Sequence, residues 1–600
     1  MLGFWCFVFG VESCEQMSRV EHSVSDNSLV DERAKPMIIV NHEKRNTQNQ
    51  TPSTSHQPRT TNHILYAAAA LHEIPRLVGS LDRNPFRPTF GSFDRQFWHY
   101  RTAAFPSEMY QEAVLPLALV FTHELPGNRW QGAPRLREWI LAALQYSAKS
   151  AHADGSCDDY YPFERALGAA VFSLNAAAEA CRLLKVVDPT ILDSLVRRAL
   201  WIVKHDESGK LTNHHALAAL ALERVGRWTG RDDLRAASLR KIQQLLGWQS
   251  SEGWFEEYGG ADPGYQTVTI DCLAKLWRIT GYEPLREPLD RAIAFARKFL
   301  HPDGSYAGEY GSRGTMHFYP HGFELLARES GDAAELADGF LSTLADGRQA
   351  QFADDRMYVH RLGNLIEAYL DWSPERPPLR NQPAVVAPEY LDHAQMLIDR
   401  RPQRHTIVSA ARGGVVKHFV HEELVTTDTG LVVETADGRV AVSQSHDLGR
   451  DIRHGKDNSA KLTSVTVSGP LHWSRFETVT PLKQAILHLG MMTVGRWCRT
   501  LVRRVLQRRL ITGRQHCPVH LERTIELRAG APSLRIIDRI TLQTPGVRVA
   551  RMSISSDLES AYVAASGAYQ DSLLEPWTPL DEYVDRLNRQ REVIVVREWR

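Results

Sequence analysis

The chain has 600 residues, of which 43% are hydrophobic and 24% are charged, and its 71 basic side chains equal its 71 acidic ones. This composition is typical of a folded globular protein, and it excludes a collagen-like, disulfide-scaffold or wholly disordered chain. A formal net charge of zero excludes a generally basic binder, so we expect no nucleic-acid partner. The scattered cysteines form no CxxC pair, so neither a zinc ribbon nor a disulfide framework is indicated.

The first 60 or so residues differ from the rest of the chain. Residues 41–62 are polar and almost free of apolar side chains, which predicts a disordered N-terminal tail over 1–62. The opening MLGFWCFVFGV lacks a basic region and is followed by Glu12 and Glu15, which is not typical of a secretory signal. No run reaches the roughly 18 apolar residues of a membrane span. The sequence alone therefore indicates a cytoplasmic location.

Between residues 63 and 372, Ala and Leu recur at helical spacing, as in LREWILAALQYSAKSA and HALAALALERVGRWTG. Short Gly-centred turns separate these stretches at intervals of about 50 residues, which fits one helical hairpin per repeat. The key glycines are Gly155, Gly209, Gly253 and Gly304. Polar and aromatic residues follow each turn, and in a closed ring they would converge on one end. We therefore predict an α/α toroid, an incomplete barrel of helical hairpins, with an open solenoid as the alternative.

The residue pattern changes from helical to strand-like after a Pro-rich linker, 373–390. Over 391–600, Val and Thr alternate between Gly-Gly, Thr-Gly and Asp-Gly turns, which predicts an antiparallel β-sandwich domain. The fold class is therefore multidomain α + β, with the toroid before the sandwich. Within the second domain, residues 482–512 look helical and basic, and no acidic residue occurs from Val479 through Leu521. This insertion could bind a polyanion, an anionic membrane surface or a partner, or it could be a solvated helix.

The turns of the first domain carry a distinctive set of polar side chains. They are Asn213, His214 and His215 in the second turn, Tyr258 and Tyr265 in the third, and Arg313 and His317 in the fourth. Amide, imidazole, phenol and guanidinium groups suit β-elimination on a uronic acid. In that reaction a donor neutralises the C6 carboxylate, a base removes H5 and an acid protonates O4. One Tyr can serve as acid and base if a cation lowers its pKa of about 10.

Three stretches, NHHALAALAL, ADPGYQ and GSRGTMHFYPHGFE, resemble the heparinase II/III-like polysaccharide lyases, which include related alginate lyases. The resemblance implies a toroid before a β-sandwich, an acidic polysaccharide substrate and a periplasmic or secreted location. It also implies that Asn213, with His214 beside it, neutralises the substrate carboxylate. Tyr265 would be the acid, and it could also be the base.

A further motif of those lyases resembles H-G-H-A-D-x-x-S, and the nearest match here is His454-Gly455-Lys456-Asp457-Asn458-Ser459. The resemblance implies a catalytic or charge-neutralising role for His454. Because Lys456 replaces the second His, we predict no metal, and we predict no cofactor. Trp98 and Tyr100, in an aromatic stretch over 93–110, could stack on sugar rings beside the substrate-binding candidates His215, Tyr258, Arg313 and His317, or they could belong to the core.

Two other functions remain open at this stage. A glycoside hydrolase on the same ring would use Asp158, Asp159 or Glu256 as acid and base. A non-catalytic glycan-binding or exopolysaccharide-assembly protein would use the basic insertion. Structural roles are the alternative for the leading candidates, since Asn213 could cap a helix and Tyr265 could pack in a turn. The polymer, its linkage, endo or exo action and the oligomeric state are not specified by the sequence.

Overall fold

The computed structural model describes residues 40–41, 62–206, 209–349, 351–352, 355–377, 388–456, 462–474, 480–507, 513–527, 533–558, 566–567 and 575–599. The predicted N-terminal tail therefore lies almost wholly outside the described residues. So do the middle of the predicted linker, residues 457–459 of the His454 motif and positions 508–512 of the basic insertion.

The first domain consists of helices joined by short turns. In chain order they are α1 Ile64–Ser80, α2 Arg95–Trp98, α3 Val114–Thr122, α4 Pro134–Ser150, α5 Leu167–Leu184, α6 Pro189–Val203, α7 Thr212–Thr229, α8 Asp232–Leu246, α9 Pro263–Thr280, α10 Arg286–Arg297, α11 His321–Leu326, α12 Gly331–Ala345 and α13 Asp355–Asp371. Short 3-10 helices, Glu108–Ala113 and Glu283–Leu285, lie between them.

Six of these helices form an inner ring. Helices α3, α5, α7, α9, α11 and α13 each contact the next, and α13 also contacts α3, so the ring closes. The many alanines of α5 and α7 permit close packing, and α5 is buried almost all round. By length and composition α5 is the one described helix that could cross a membrane, but 83% of it is buried here as a core helix. The predicted α/α toroid is confirmed, and because outer helices alternate with inner ones, the N-termini of α5, α7 and α9 share one end.

The turn glycines occupy equivalent structural positions. Gly155, Gly209, Gly253 and Gly304 all have φ between 85° and 98°, a left-handed region that favours glycine. A Cβ on Gly155 would lie 2.6 Å from the backbone of Arg197 in α6, and one on Gly253 would overlap the Arg291 carbonyl in α10. These two turns therefore pack directly against the outer helix of the following hairpin.

The second domain is built from two sheets. The five-stranded sheet runs β5 (Glu389–Leu391), β6 (Met396–Arg401), β7 (Arg404–Ser409), β8 (Val415–Val420) and β9 (Glu423–Asp428) in consecutive antiparallel order. The ten-stranded sheet has the order β1-β19-β15-β14-β13-β11-β10-β16-β18, with β12 paired to β13. Its strands are β1 Val40–Asn41, β10 Gly430–Thr435, β11 Val440–Val442, β12 Asp451–Lys456, β13 Leu462–Trp473, β14 His516–Leu527, β15 Leu534–Leu542, β16 Val549–Ser555, β18 Trp577–Pro579 and β19 Glu592–Trp599.

The remaining elements are small. Two-residue strands pair in hairpin or bridging contacts: β2 (Glu256–Glu257) with β3 (Gly260–Ala261), and β4 (Gln351–Phe352) with β17 (Ser566–Gly567). The basic insertion between β13 and β14 contains α14 (Pro481–Met492), the 3-10 turn Gly495–Trp497 and α15 (Arg499–Gln507). Helix α16 (Val584–Gln590), preceded by the 3-10 turn Asp581–Tyr583, packs on the ten-stranded sheet.

The two sheets face each other across a shared core, so the predicted sandwich is confirmed. Val408 and Val416 from the smaller sheet pack with Val465, Ile525 and Ile536 from the larger one. A buried ionic network also joins the sheets, with Asp428 accepting from Arg523 (2.8 Å) and Arg597 (2.5 Å), and with Asp538 pairing both arginines. The other face of the smaller sheet packs on the toroid.

Candidate active site

A short hairpin, β2–β3, organises the N-terminal end of α7. The side chain of Glu257 accepts hydrogen bonds from the Thr212 hydroxyl (2.8 Å) and the Asn213 backbone N–H (2.7 Å). It thereby satisfies donors that the first turn of a helix leaves unpaired. Glu257 rather than a residue of the helix itself is therefore the cap, and the Asn213 side chain also donates a hydrogen bond to it.

Asn213 and Glu257 are both buried in this corner. Among the described residues, the Asn213 side-chain oxygen has no hydrogen-bond partner. Burial raises the pKa of Glu257 from 4.5 to about 7, although hydrogen bonds from Asn213 and Thr212 oppose the rise. The start of α7 therefore holds the buried Asn213 amide, whose oxygen can accept a further hydrogen bond, beside the Glu257 carboxyl group, which titrates near neutral pH.

Asp262 fixes the start of α9 and the loop that faces it. Its carboxylate accepts from the backbone N–H of Tyr265 (3.0 Å), from the Thr315 hydroxyl (2.5 Å) and from the Arg313 backbone N–H (2.8 Å). Gly264 approaches Thr315 so closely that a Cβ there would overlap the Thr315 hydroxyl. One buried carboxylate thus holds the third and fourth turns together.

Four of the predicted side chains meet at this junction. The guanidinium of Arg313 lies 4.1 Å from the ring centre of Tyr258, and the His317 imidazole is edge-on to the Tyr265 ring at 5.3 Å. Burial raises the pKa of the Tyr265 phenol well above its usual 10, while the charge of Arg313 lowers it. At neutral pH Tyr265 is therefore a protonated phenol next to a cation.

The β domain contributes two side chains to the same place. Arg412, in the turn between β7 and β8, donates to the carbonyls of Gly311 and Ser312, each at 2.6 Å. The His446 imidazole lies over Gly260 in the hairpin, where a Cβ would be 2.5 Å from Nε2. Burial and the charges of Arg412 and Arg514 lower the pKa of His446 to about 3, so it is a neutral imidazole. No motif in the sequence marks His446 as a site residue.

Aromatic rings line the toroid from the second turn to the fourth. Neighbouring ring centres are His214–Phe172 at 5.8 Å, Phe172–His360 at 5.1 Å, His360–Tyr319 at 4.9 Å, Tyr319–His317 at 6.2 Å and His317–Tyr265 at 5.3 Å. The His214 ring also lies against Gly168 at the start of α5, where a Cβ would be 3.0 Å away. This series of aromatic side chains connects His214, which is next to Asn213, to Tyr265 across the toroid.

Other predicted site residues lie elsewhere. His215 is buried on a different side of α7, edge-on to Trp248 at 4.6 Å. Trp98 donates its indole N–H to the Ser80 carbonyl (2.9 Å), and Tyr100 is 58% exposed in the same segment. No contact described in the structure joins these side chains to Tyr265.

His454 is also separate from this group. It is exposed on β12, and its ring lies 4.2 Å from that of Tyr390. The β-domain histidine that reaches the hairpin in the described structure is His446, eight positions earlier in the chain.

The carboxylates of the hydrolase alternative are engaged in loop structure. Asp158 accepts from the backbone N–H groups of Phe163 and Arg165. Asp159 accepts from the Ser107 hydroxyl at 2.5 Å, and Glu256 pairs with Lys210 at 3.0 Å. The carboxyl group with a raised pKa beside Asn213 is instead Glu257.

One group of described side chains could hold a metal ion. Candidate ligand atoms of Asp447, His472 and His516 lie within 4.8 Å of one another. Asp447 already pairs with Arg514 at 2.7 Å, and burial lowers the pKa of His472 to about 4. We assign no step of a reaction to this group.

A cavity of about 740 Å³ opens at the opposite end of the toroid. Its lining includes the C-terminal parts of α7 and α9, roughly 20 Å along each helix from Asn213 and Tyr265 at 1.5 Å per residue. There Lys275 pairs with Asp271 and Glu367, both at 2.7 Å. The end that carries the predicted site is therefore distinct from this ion-paired cavity.

No family model and no curated protein sequence matches this chain. Among solved structures, it is similar to chondroitin AC lyase from Streptomyces coelicolor A3 in complex with chondroitin sulphate, with 12% identity, 84% of this chain and 69% of that chain covered, and a TM-score of 0.49. It is similar to a mutant of heparan sulfate lyase HepC from Pedobacter heparinus, with 11% identity, 82% and 75% covered, and a TM-score of 0.34. It is also similar to a family 76 glycoside hydrolase from a bovine Bacteroides thetaiotaomicron strain, with 10% identity, 51% and 77% covered, and a TM-score of 0.37.

Proposed function

We propose that the protein is a polysaccharide lyase that cleaves a uronate-containing acidic glycan by β-elimination. The observation that carries this proposal is the junction around the β2–β3 hairpin. There the buried amide of Asn213 lies beside the hairpin. The hairpin carries Tyr258, which contacts Arg313, and it leads into Tyr265 at the start of α9. The neutral imidazole of His446 packs on the hairpin at Gly260. These groups can neutralise a carboxylate and move protons, which are the two requirements of the reaction.

Asn213 is the group we assign to the substrate carboxylate. Its side chain is buried at the start of α7, and its amide NH₂ group is a hydrogen-bond donor that can serve a substrate carboxylate. An amide donor aimed at a C6 carboxylate stabilises the charge that develops there when H5 is lost. In a site that excludes water, one such donor changes the rate by about 10²–10³-fold.

Tyr265 is the group we assign to the leaving O4 oxygen. Its raised pKa keeps the phenol protonated, so it can give a proton to O4 as the C4–O4 bond breaks. H5 is removed in the same step, and its electron pair forms the C4–C5 double bond. Two groups can accept H5. The neutral imidazole of His446 can take it while the Tyr265 phenol protonates O4, or Tyr265 can take it in the phenolate form that Arg313 favours and then return that same proton to O4.

The test is an assay of product chemistry on uronate polymers such as alginate and heparan sulfate. A lyase produces a C4–C5 double bond conjugated to the carboxylate, which absorbs in the ultraviolet, and Tyr265→Phe should reduce its appearance by about 10²–10⁴-fold. His446→Gln and His454→Gln form a matched pair. We expect the first to reduce turnover and the second to leave it unchanged, because His454 is exposed on β12.

One observation favours a second candidate, a glycoside hydrolase. Glu257 is a buried carboxyl group whose pKa is raised to about 7, a property of general acids in glycosidases. Hydrolysis would produce new reducing ends without a double bond, would be abolished in Glu257→Gln, and would continue in Tyr265→Phe. That combination of results would replace the lyase assignment.

A further inference from the structure

The basic insertion carries an unusual cluster of exposed apolar side chains. Within residues 482–501 six large apolar side chains are exposed, whereas the ten others in the described chain are spread over more than 500 residues. They are Leu482 (64% exposed), Leu489 (62%), Met492 (48%), Val494 (51%), Trp497 (73%) and Leu501 (59%). A soluble surface rarely concentrates large apolar groups in this way unless it contacts something.

The exposed side chains are not needed to hold the insertion in place. Met491 and Val502 are buried and form a small core with Tyr161, in the turn that precedes α5. Leu482 and Leu489 are seven residues apart on α14, so they share one face, and Met491 lies on the opposite one. The helix is therefore anchored to the toroid by one face and presents a second apolar face outward.

The same segment also carries several cationic side chains. Lys483, Arg496 and Arg504 are exposed, and Arg499 and Arg503 are half-buried. The Arg496 guanidinium lies 4.4 Å from the ring centre of Trp497. No acidic residue occurs from Val479 through Leu521, so nothing in the segment offsets its charge. An apolar face rimmed by Lys and Arg is typical of helices that lie in the headgroup layer of an anionic bilayer.

We propose that residues 480–507 dock the protein on the surface of an anionic lipid bilayer. Trp497, Leu489 and their apolar neighbours enter the headgroup layer, and the surrounding cations bind lipid phosphates. Polyanionic glycan alone does not account for the patch, because Leu, Met and Val gain nothing from a hydrated polymer. A second copy of this chain does not fit either, because self-pairing would bring like charges together.

The position of the insertion also determines which end of the toroid would face the bilayer. It packs on the turn that leads into α5, and the start of α5 contacts the His214 ring. The charge of Arg503 acts on Glu164 in that turn, lowering a carboxyl pKa that burial raises to about 7. A docked molecule would therefore hold the cleft end of its toroid close to the bilayer.

The experiment is co-sedimentation of the full chain with vesicles of phosphatidylcholine alone and of phosphatidylcholine mixed with phosphatidylglycerol. We expect binding to the mixed vesicles that weakens as salt is raised. The double variant Leu489→Ser/Trp497→Ser should reduce binding about tenfold or more, because both side chains lose their apolar contact with lipid. Arg496→Gln/Arg504→Gln should also reduce it about tenfold.

The control is Phe86→Ser, since Phe86 is 94% exposed in a loop outside the insertion. It should bind vesicles like the unmodified chain, and thermal melting should show all variants folded. Three results would overturn the proposal: no binding to anionic vesicles, equal loss in Phe86→Ser, or an oligomer that dissociates in Leu489→Ser/Trp497→Ser. Binding to a soluble polyanion that removes the arginine dependence but ignores Leu489 and Trp497 would assign the segment to the glycan instead. Vesicle binding needs no substrate, so its failure is distinguishable from a failure of the lyase assay.

Discussion

The two ends of the toroid are made by the same inner helices, yet their polar groups are paired very differently. At the C-terminal ends of α7, α9 and α13, Lys275 pairs with both Asp271 and Glu367, and His321 bonds Asp371 at 2.8 Å. At the N-terminal ends, the Asn213 oxygen lacks a described partner, and burial raises the pKa of Glu257 to about 7. One end satisfies its charges internally, while the other keeps polar groups in states that cost stability.

That difference indicates what each end does. A buried ion pair that satisfies its members adds little net stability, but removing one member is strongly destabilising. Polar groups held buried without full pairing persist only where other contacts support them, and they are typical of sites that bind or react. We infer that the ion-paired end maintains the ring and that the hairpin end performs the chemistry.

The largest expected effect is on stability, at the ion-paired end. Lys275→Met keeps the length of the side chain but leaves Asp271 and Glu367 without their shared cation. The free energy of unfolding should fall by about 3–5 kcal/mol, measured by guanidinium denaturation. The control Arg278→Met removes an ion pair in which Arg278 is 58% exposed, and it should cost under about 1 kcal/mol. Equal losses in the two variants would contradict the proposed division between the ends.

The second effect is on activity, at the hairpin end. Asn213→Ala should reduce lyase turnover by about 10²–10³-fold, because it removes the donor to the substrate carboxylate. Stability should fall by only about 1 kcal/mol, because one side-chain hydrogen bond to Glu257 is lost while the Asn213 backbone N–H keeps its bond to the same carboxyl. Thr212→Val is the matched control: it removes the two hydroxyl hydrogen bonds, and it should lower stability more than activity. A stability loss in Asn213→Ala that accounts for its lost activity would reduce the residue to a structural role.

A third test uses pH. The folded-state pKa of Glu257 is raised from 4.5 to about 7, so the protonated carboxyl favours the folded state at low pH. This contribution is complete below about pH 4.5 and is lost as pH rises through about 7, by at most about 3 kcal/mol. Glu257→Gln should flatten the dependence of the unfolding free energy on pH across this window. Glu256→Gln, on the neighbouring residue, is the control, and it should leave the pH dependence of the unfolding free energy unchanged.

The smallest effect concerns the cation beside the phenol. Arg313→Met removes a charge that lowers the pKa of Tyr265, so the alkaline limb of kcat/KM should move to higher pH and the rate at neutral pH should fall about tenfold. Arg313→Lys retains the charge but loses the guanidinium contact with the Tyr258 ring, so its rate at neutral pH should fall less than that of Arg313→Met. A pH profile identical in all three proteins would show that Arg313 acts only in packing.

Much of the fold follows from the local pattern of the sequence. Ala and Leu at helical spacing predict the hairpins, and Gly155 and Gly253 mark turns that only a residue without a side chain can make against α6 and α10. The second and third turns likewise place Asn213 and Tyr265 at the starts of α7 and α9. These features depend on neighbours within a few residues, so the sequence contains them directly.

Local sequence patterns do not identify which distant residues meet at the candidate site. His446 is about 180 residues from Tyr265 along the chain and carries no motif, and it reaches the hairpin through the docking of the β domain by Arg412. His454, marked by a motif, lies exposed beside Tyr390. Adjacent histidines 214 and 215 face different sides of α7, because successive residues turn about 100° around a helix.

The sequence by itself therefore determined the order of the domains, the helical repeat, the acid-free insertion and the turn residues that begin the inner helices. The tertiary structure decided that Glu257 caps α7 in place of Asn213 and that Asp262 joins two turns. It also decided that Lys275 is ion-paired in the interior at one end of the ring, while the Asn213 oxygen at the other end has no described partner. The physical reason is the range of the interactions. Periodicity and turn geometry are encoded over a few residues, whereas burial, pKa and pairing depend on which distant segments pack together.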